Sequence, residues 1–228
     1  LSMIKLSGLE KHSISIDEIV FKIGPRINAA GRMESGRMAV DLLTSRKEED
    51  ALNIGKEINV HNNERKNVDR EITIEAIEMV KHSPDFEKRK STVVYNSQWH
   101  KGVVGIVASR LVEAYYKPTI VLTNSNGFVT GSARSIPGFD LYEAIESCSD
   151  LLENFGGHMY AAGMTLKEEN LAEFSERFEN FVAQKITQEI LTPIVNIDSF
   201  LDFKQITPKF FRILKQFQPF GPGNSSPV

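Results

Sequence analysis

Two short stretches of this chain combine residue types that hold anions: Phe155-Gly156-Gly157-His158-Met159-Tyr160-Ala161-Ala162-Gly163 and, upstream of it, Gly131-Ser132-Ala133-Arg134-Ser135. Adjacent glycines let a backbone approach a ligand where a Cβ would collide, or take φ > 0 at no steric cost. His158, directly after them, can act at close range, so the stretch reads as a loop built to hold something anionic. Ser132 and Arg134 alternate and therefore point to one face of a strand, a hydroxyl and a guanidinium suited to gripping a terminal phosphate. Pro25-Arg26-Ile27-Asn28-Ala29-Ala30-Gly31-Arg32 sets two arginines and an amide donor around small residues, a surface for bidentate phosphate contacts. Trp99-His100-Lys101-Gly102-Val103-Val104-Gly105 joins a strand to a helix start, where unpaired N–H groups and the helix dipole favour an anion. The competing readings of the same residues are ordinary turns, a polar strand end, an ion-paired surface loop and a core tryptophan.

The chemistry that would act on such an anion is not evident. The five histidines (His12, His61, His82, His100 and His158) are scattered, and no Asp-x-Asp or Asp-His-His cluster occurs. No Cys or His pair has zinc spacing, and neither a Gly-x-Ser-x-Gly elbow nor a P-loop is present. The residues supply parts for gripping an anion and no metal-dependent engine.

The composition bounds what can position these groups. With 228 residues, 41% of them hydrophobic and 25% charged, the chain reads as an ordinary soluble globular protein of one or two domains. Its net charge of −3 excludes nucleic-acid binding by bulk electrostatics. An anionic substrate then needs a local cluster of arginines, and the segment holding Lys22, Arg26, Arg32, Arg37 and Arg46 against Glu34 and Asp41 is one candidate. Cys148 is the single cysteine, which rules out an intrachain disulfide and points to a reducing, cytoplasmic setting. No apolar run approaches the ~20 residues needed to cross a bilayer. Both ends are read as those of a piece excised from a longer protein.

Periodicity and capping give the elements. Asp17 is expected to cap a helix that Pro25 ends, and Gly36–Leu43 forms another. Ser45 and Glu48 have the capping-box spacing that starts a helix running to His82. At roughly 37 residues it spans about 55 Å; its thin apolar stripe of Leu52, Ile58, Val68, Ile72, Ile77 and Val80 suits a bridge between domains. From Ser91 onward strands (Thr92–Tyr95, Pro118–Leu122, Phe128–Ala133, Ala161–Leu166) alternate with helices (Gly102–Tyr115, Leu141–Asn154, Glu168–Glu189), and Asn126-Gly127 signals a hairpin. The fold class is α/β: a mixed sheet flanked by helices and preceded by a long connecting helix. Cys148 falls in the helix read after Leu141. Ile194–Asp198 and Phe200–Phe203 read as strands of a third, incomplete unit, followed by a helix over Pro208–Phe217.

The ordered segments PRINAAGRM, NSQWHKGVVGIVASRL, GSARSIPGFDL, FGGHMYAAGM and FQPFGPGNSSPV closely resemble the single-stranded-DNA-specific exonucleases of the DHH phosphoesterase family, over nearly the whole chain. The resemblance implies the end of a DHH catalytic domain at 1–44, a long connecting helix at 45–84, a DHH-associated substrate-binding domain at 85–190 and the truncated start of an OB-fold, a partial β unit, at 191–228. It implies 5′-to-3′ hydrolysis of single-stranded DNA in repair and recombination, with Mn2+ or Mg2+ held by residues upstream of this chain, which alone is expected to be inactive. Ser132 and Arg134 are implied to hold the 5′ phosphate with help from Arg26. His158 is implied to face the cleft beside the scissile or a neighbouring phosphate, on the Gly156-Gly157 backbone. Asn28, Arg32 and His100 match motif positions without individual roles. Ser225-Ser226 departs from the proline-containing stretch frequent in the family. A related phosphoesterase acting on short oligonucleotides or small nucleotides, and a non-catalytic nucleic-acid-binding module, are the alternatives.

Overall fold

The computed structural model describes residues 2–10, 14–221 and 223–228. His12, and Pro222 within the last motif, lie outside them. The chain divides into two compact units, 1–192 and 193–228.

The first unit opens with helices α1 (Ser2–Leu6) and α2 (Ile16–Glu18), a π-helical turn (Ile19–Ile23), α3 (Gly24–Met33), α4 (Gly36–Thr44) and the 34-residue α5 (Glu48–Lys81). Pro25 begins a helix and does not end one. It sits in the first turn of α3, where its missing N–H costs nothing, and the cap of α2 is Ser15, not Asp17. PRINAAGRM is therefore helical. The expected capping box at Ser45 is absent. Ser45 Oγ donates to the Asp41 carbonyl at the end of α4, and Lys47 takes the N-cap of α5 without a side-chain bond.

Next come β1 (Thr92–Tyr95), α6 (Val104–Tyr115), β2 (Thr119–Ser125), β3 (Phe128–Arg134), α7 (Leu141–Glu146), β4 (Leu152–His158), β5 (Ala161–Leu166) and α8 (Leu171–Lys185). They build one mixed sheet of order β1-β2-β3-β5-β4, parallel only between β1 and β2. Asn126 and Gly127 both have positive φ (56° and 81°), the backbone a two-residue hairpin needs between β2 and β3. The helix expected over Leu141–Asn154 stops at Glu146. Ser147 Oγ donates to the Ala144 carbonyl, Cys148 is enclosed just past the helix end, and the next residues pair with β5 instead. The Gly-Gly-His stretch is thus an edge strand and not a loop. Ladder pairing supplies the backbone bonds that two glycines in a helix would have weakened.

Alternation along β2 sorts the core. Val121 faces α5 and α6, joining Ile72, Ala76, Val80, Trp99, Val107 and Leu111. Ile120 and Leu122 face the other way, toward α7 and α8. On α8, Phe174, Phe178 and Val182 recur every four residues and are fully enclosed. Removing one such phenylalanine costs about 3–5 kcal/mol, so this row anchors the helix. The N-terminal half of α5 carries a separate cluster of Met3, Ala30, Leu42 and Ile58. One helix therefore joins a small helical layer to the sheet.

Residues 193–228 hold a 3₁₀ turn (Phe203–Gln205), α9 (Pro208–Lys215) and an isolated bridge between Gly221 and Asn224. The strands expected at Ile194–Asp198 and Phe200–Phe203 do not form among the described residues, which therefore do not confirm the partial OB-fold expected there. A strand needs a paired neighbour, and here Asp198 N–H meets only the Val228 carbonyl. Phe200 and Phe203 stand 89% and 91% exposed.

Candidate anion-binding site

Asn28 and Arg32 lie four residues apart on α3 and share one face; Arg26, six residues from Arg32, does not. Arg26 Nε donates to Asn59 Oδ1 on α5 (3.0 Å) and its Nη1 to the Lys22 carbonyl (2.6 Å). It braces α3 and lines neither of the clefts described below. Arg32 reaches toward α6, donating from Nη1 to the Gly102 carbonyl (3.2 Å). The backbones meet closely here: a Cβ on Gly102 would stand 2.2 Å from the Arg32 carbonyl oxygen.

Arg32 forms one wall of a cleft of about 250 Å³ whose other walls are Lys101, Gly102, Val104, Gly105, Thr130, Gly131, Ser132 and Arg134. Arg134 Nη1 donates to Ser132 Oγ and to the Ala133 carbonyl, both at 2.7 Å. The start of α6 fits against this pair because residue 105 is glycine. A Cβ there would stand 2.9 Å from Arg134 Nη2 and 3.0 Å from Ser132 Oγ. Val103, at the N-cap of α6, offers no side-chain hydrogen bond. Ile106 N–H already donates to the Val103 carbonyl (2.8 Å), so the N–H groups left uncapped in the first turn are those of Val104 and Gly105, both of which line the cleft.

Charge is unbalanced in this cleft. Burial, and then the positive charge of Arg32, hold the Arg134 guanidinium below the usual arginine range. No carboxylate among the described residues forms an ion pair with Arg32, Arg134 or Lys101. Guanidinium groups that repel one another and have no ion-paired carboxylate are groups that an anion supplied from outside would neutralise.

Sheet register places the Gly-Gly-His strand. Ser132, Gly163 and Gly156 form one row across β3, β5 and β4, and Arg134, Ala161 and His158 form the next. Both rows face the α6 side, since Ser132 pairs with Val121. His158 is thus on the same face as Arg134 but two strands away, about 10 Å at the usual strand spacing. It is exposed, and its Nδ1 accepts the Tyr160 N–H. Gly156 leaves open space where its Cβ would stand, whereas Gly157 has φ +155° and a Cβ there would stand 2.3 Å from the Ala161 carbonyl oxygen. Gly157→Ala is expected to lower stability by about 2 kcal/mol and Gly156→Ala by no more than about 0.5 kcal/mol. Urea unfolding of the two variants checks the contrast; equal losses would contradict it.

The structure brings Asn28, Arg32, Ser132 and Arg134 together, with Arg32 central. It does not bring Arg26 or His100 to the cleft. His100 Nδ1 accepts the Gly102 N–H (3.1 Å) and shapes the turn before α6. Trp99 is a core residue whose indole N–H donates to Glu75 on α5 (2.8 Å).

Sequence reasoning named Lys101 and Gly105 only within the segment before α6, without individual roles, and did not name Arg65. Arg65, on α5, lines a second cleft of about 230 Å³ with Pro25, Asn28, Arg32 and Ile106. Its Nη2 donates to Asn62 Oδ1 (3.2 Å), its Nη1 lies 3.6 Å from Asp69, and its enclosed Nε has no partner. The four-residue step from Arg65 to Asp69 was the available signal. Among the described residues no group of three or more His, Cys, Asp or Glu side chains could hold a metal ion.

Residues 89–184 match the DHHA1 domain family. The chain is 38% identical, over 99% of its length, to the single-stranded-DNA-specific exonuclease RecJ of Bacillus subtilis. Two crystal structures of RecJ from Thermus thermophilus, one in complex with Mg2+ and one with Mn2+, superpose on 99% of it at 29% identity with TM-scores of 0.87 and 0.85. The chain spans 29% of the Bacillus relative and 34% and 32% of the two Thermus chains.

Proposed function

We propose that this protein is the substrate-gripping part of a single-stranded-DNA-specific 5′-to-3′ exonuclease, because residues 89–184 match the DHHA1 domain family in a chain similar along its whole length to RecJ. The cleft between α3, α6 and β3 takes the 5′-terminal phosphate. Arg134 and Arg32 supply charge and donors, Ser132 Oγ a further hydroxyl, and the first turn of α6 its N–H groups. A divalent ion would activate the water that attacks the phosphodiester. Among the described residues no side-chain group fits such an ion. What they do is hold the terminal phosphate and fix how far the strand advances. The open sheet face toward His158 gives the first nucleotide room to lie. Backbone contacts of this kind carry no base information, which suits cleavage without sequence preference.

The observation that carries this reading is the pair Arg32 and Arg134, unneutralised beside an uncapped helix start. A 5′-phosphorylated oligothymidylate is expected to bind the chain about tenfold or more tighter than its 5′-hydroxyl counterpart, because charge-assisted hydrogen bonds contribute about 1.5–3 kcal/mol. Fluorescence anisotropy at fixed ionic strength measures the ratio. Equal affinities would overturn the assignment of the cleft.

A further inference from the structure

We propose that the cleft between α3, α6 and β3 also accepts strands ending in a 5′-diphosphate, the outer phosphate lying past Ser132 toward Thr130; this rests on the same cleft holding the 5′-terminal phosphate. The cleft is longer than one phosphate needs. Thr130, Ser132 and Arg134 alternate along β3, so their side chains share the α6 side, and all three line the cleft. From Arg134 to Thr130 the strand advances about 13 Å. The row that holds Arg134 leads across the sheet to His158, the side from which the first nucleotide comes. The Thr130 end therefore extends away from the nucleotide chain. A group that fills it must be joined to the terminal phosphate on the side opposite the sugar, and a further phosphate is such a group. The inner phosphate keeps its place, so the register of the strand is unchanged.

The charges agree with this reading. Arg32, Lys101 and Arg134 line the cleft, and none of the three has an ion-paired carboxylate among the described residues. A terminal monophosphate carries about −1.5 to −2 at pH 7, which leaves part of this charge unanswered; a second phosphate adds another ionised oxygen. Lys101 is exposed on the turn before α6, and its flexible ammonium can follow a group that the arginine forks do not reach. Beyond Ser132 the next row across the sheet is Thr130, Thr165 and Asn154, polar and uncharged, so no acid in it repels the outer phosphate. Thr130 Oγ1 already donates to the Met164 carbonyl (3.2 Å). Thr130 thus bounds the space and sets its length, while Lys101 supplies the charge.

The test uses the whole chain and three oligothymidylates of one length, ending in a 5′-hydroxyl, a 5′-monophosphate and a 5′-diphosphate, compared by fluorescence anisotropy at fixed ionic strength. The diphosphate strand is expected to bind the unaltered chain about tenfold tighter than the monophosphate strand, the effect of one further charge-assisted hydrogen bond. Lys101→Ala alters an exposed turn residue and retains the fold. Thr130→Ile keeps a β-branched residue on the strand and every cation of the cleft, but fills its far end. In each variant the diphosphate gain should fall below about twofold, while the monophosphate strand still binds in preference to the hydroxyl strand. Loss in Lys101→Ala alone would reflect general charge; loss in Thr130→Ile as well places the outer phosphate. The inference is overturned if the diphosphate strand binds the unaltered chain no tighter than the monophosphate strand, or if either variant keeps the full gain. If monophosphate and hydroxyl strands bind the unaltered chain alike, the cleft assignment itself falls and this inference with it.

Discussion

Arg134→Ala is expected to erase the preference for a 5′-phosphorylated strand while leaving the fold as stable as before. Arg134 meets the cleft with a planar fork, and a phosphate can take two parallel N–H donors from it. Losing them should weaken binding of the phosphorylated strand by about 10- to 100-fold. The 5′-hydroxyl strand lacks that phosphate and should bind as it did. Arg134→Lys restores a charge but not the fork, so it should recover only part of the loss.

Stability should move little. Alanine removes the bonds from Arg134 to Ser132 Oγ and the Ala133 carbonyl, each contributing about 1 kcal/mol. It also relieves the burial of a charge and its repulsion by Arg32. The unfolding free energy is therefore expected within about 1 kcal/mol of the unaltered chain. Added 5′-phosphorylated ligand at 100 times its Kd should stabilise the unaltered chain by about 2.7 kcal/mol and the variant hardly at all. A variant that unfolds early, or that keeps its phosphate preference, would show Arg134 to be a structural residue.

The distribution of labour between Arg26 and Arg32 shows how much of this was legible in the sequence. Both stand in one motif, and their residue types mark an anion site. Which one reaches it depends on the segment being helical, since only then does a six-residue step turn the side chains apart. Pro25 was read as a stop, when first-turn proline is also a start. The strands around Ser132 and Arg134 were legible because alternation fixes a face whatever the partner strand is. The Gly-Gly-His strand was not, because its extended form comes from pairing with β5 and not from its own propensity. Arg65 and Asp69 went unnoticed for a similar reason. On a long polar helix a charged pair four apart is usually solvated, and only the packing of α6 against α5 encloses this one. The apolar residues after 193 read as strands, yet apolar residues without a partner strand give no sheet.

Asp69→Ala is expected to be the most destabilising single change near the clefts, and it touches no ligand. Asp69 is 1% exposed on its side chain and accepts from Arg110 Nη2 on α6 (2.8 Å), with Arg65 Nη1 at 3.6 Å. It is the acid that both Arg65 and Arg110 face. Removing it leaves Arg65 enclosed with no opposite charge and breaks the ion pair that ties α5 to α6. Breaking a buried pair by deleting one partner costs about 3–5 kcal/mol. Because Arg110 is 46% exposed and can turn to water, the lower end, about 3 kcal/mol, is expected here. Chemical denaturation should show a lower midpoint at an unchanged m-value. A loss below about 1 kcal/mol would mean that the pair behaves as an exposed one. The same substitution raises the local excess of positive charge, so 5′-phosphorylated strands should stabilise Asp69→Ala more than they stabilise the unaltered chain. Asp69 and Arg134 are then opposite cases: deleting the acid harms folding and spares anion binding, and deleting the base does the reverse.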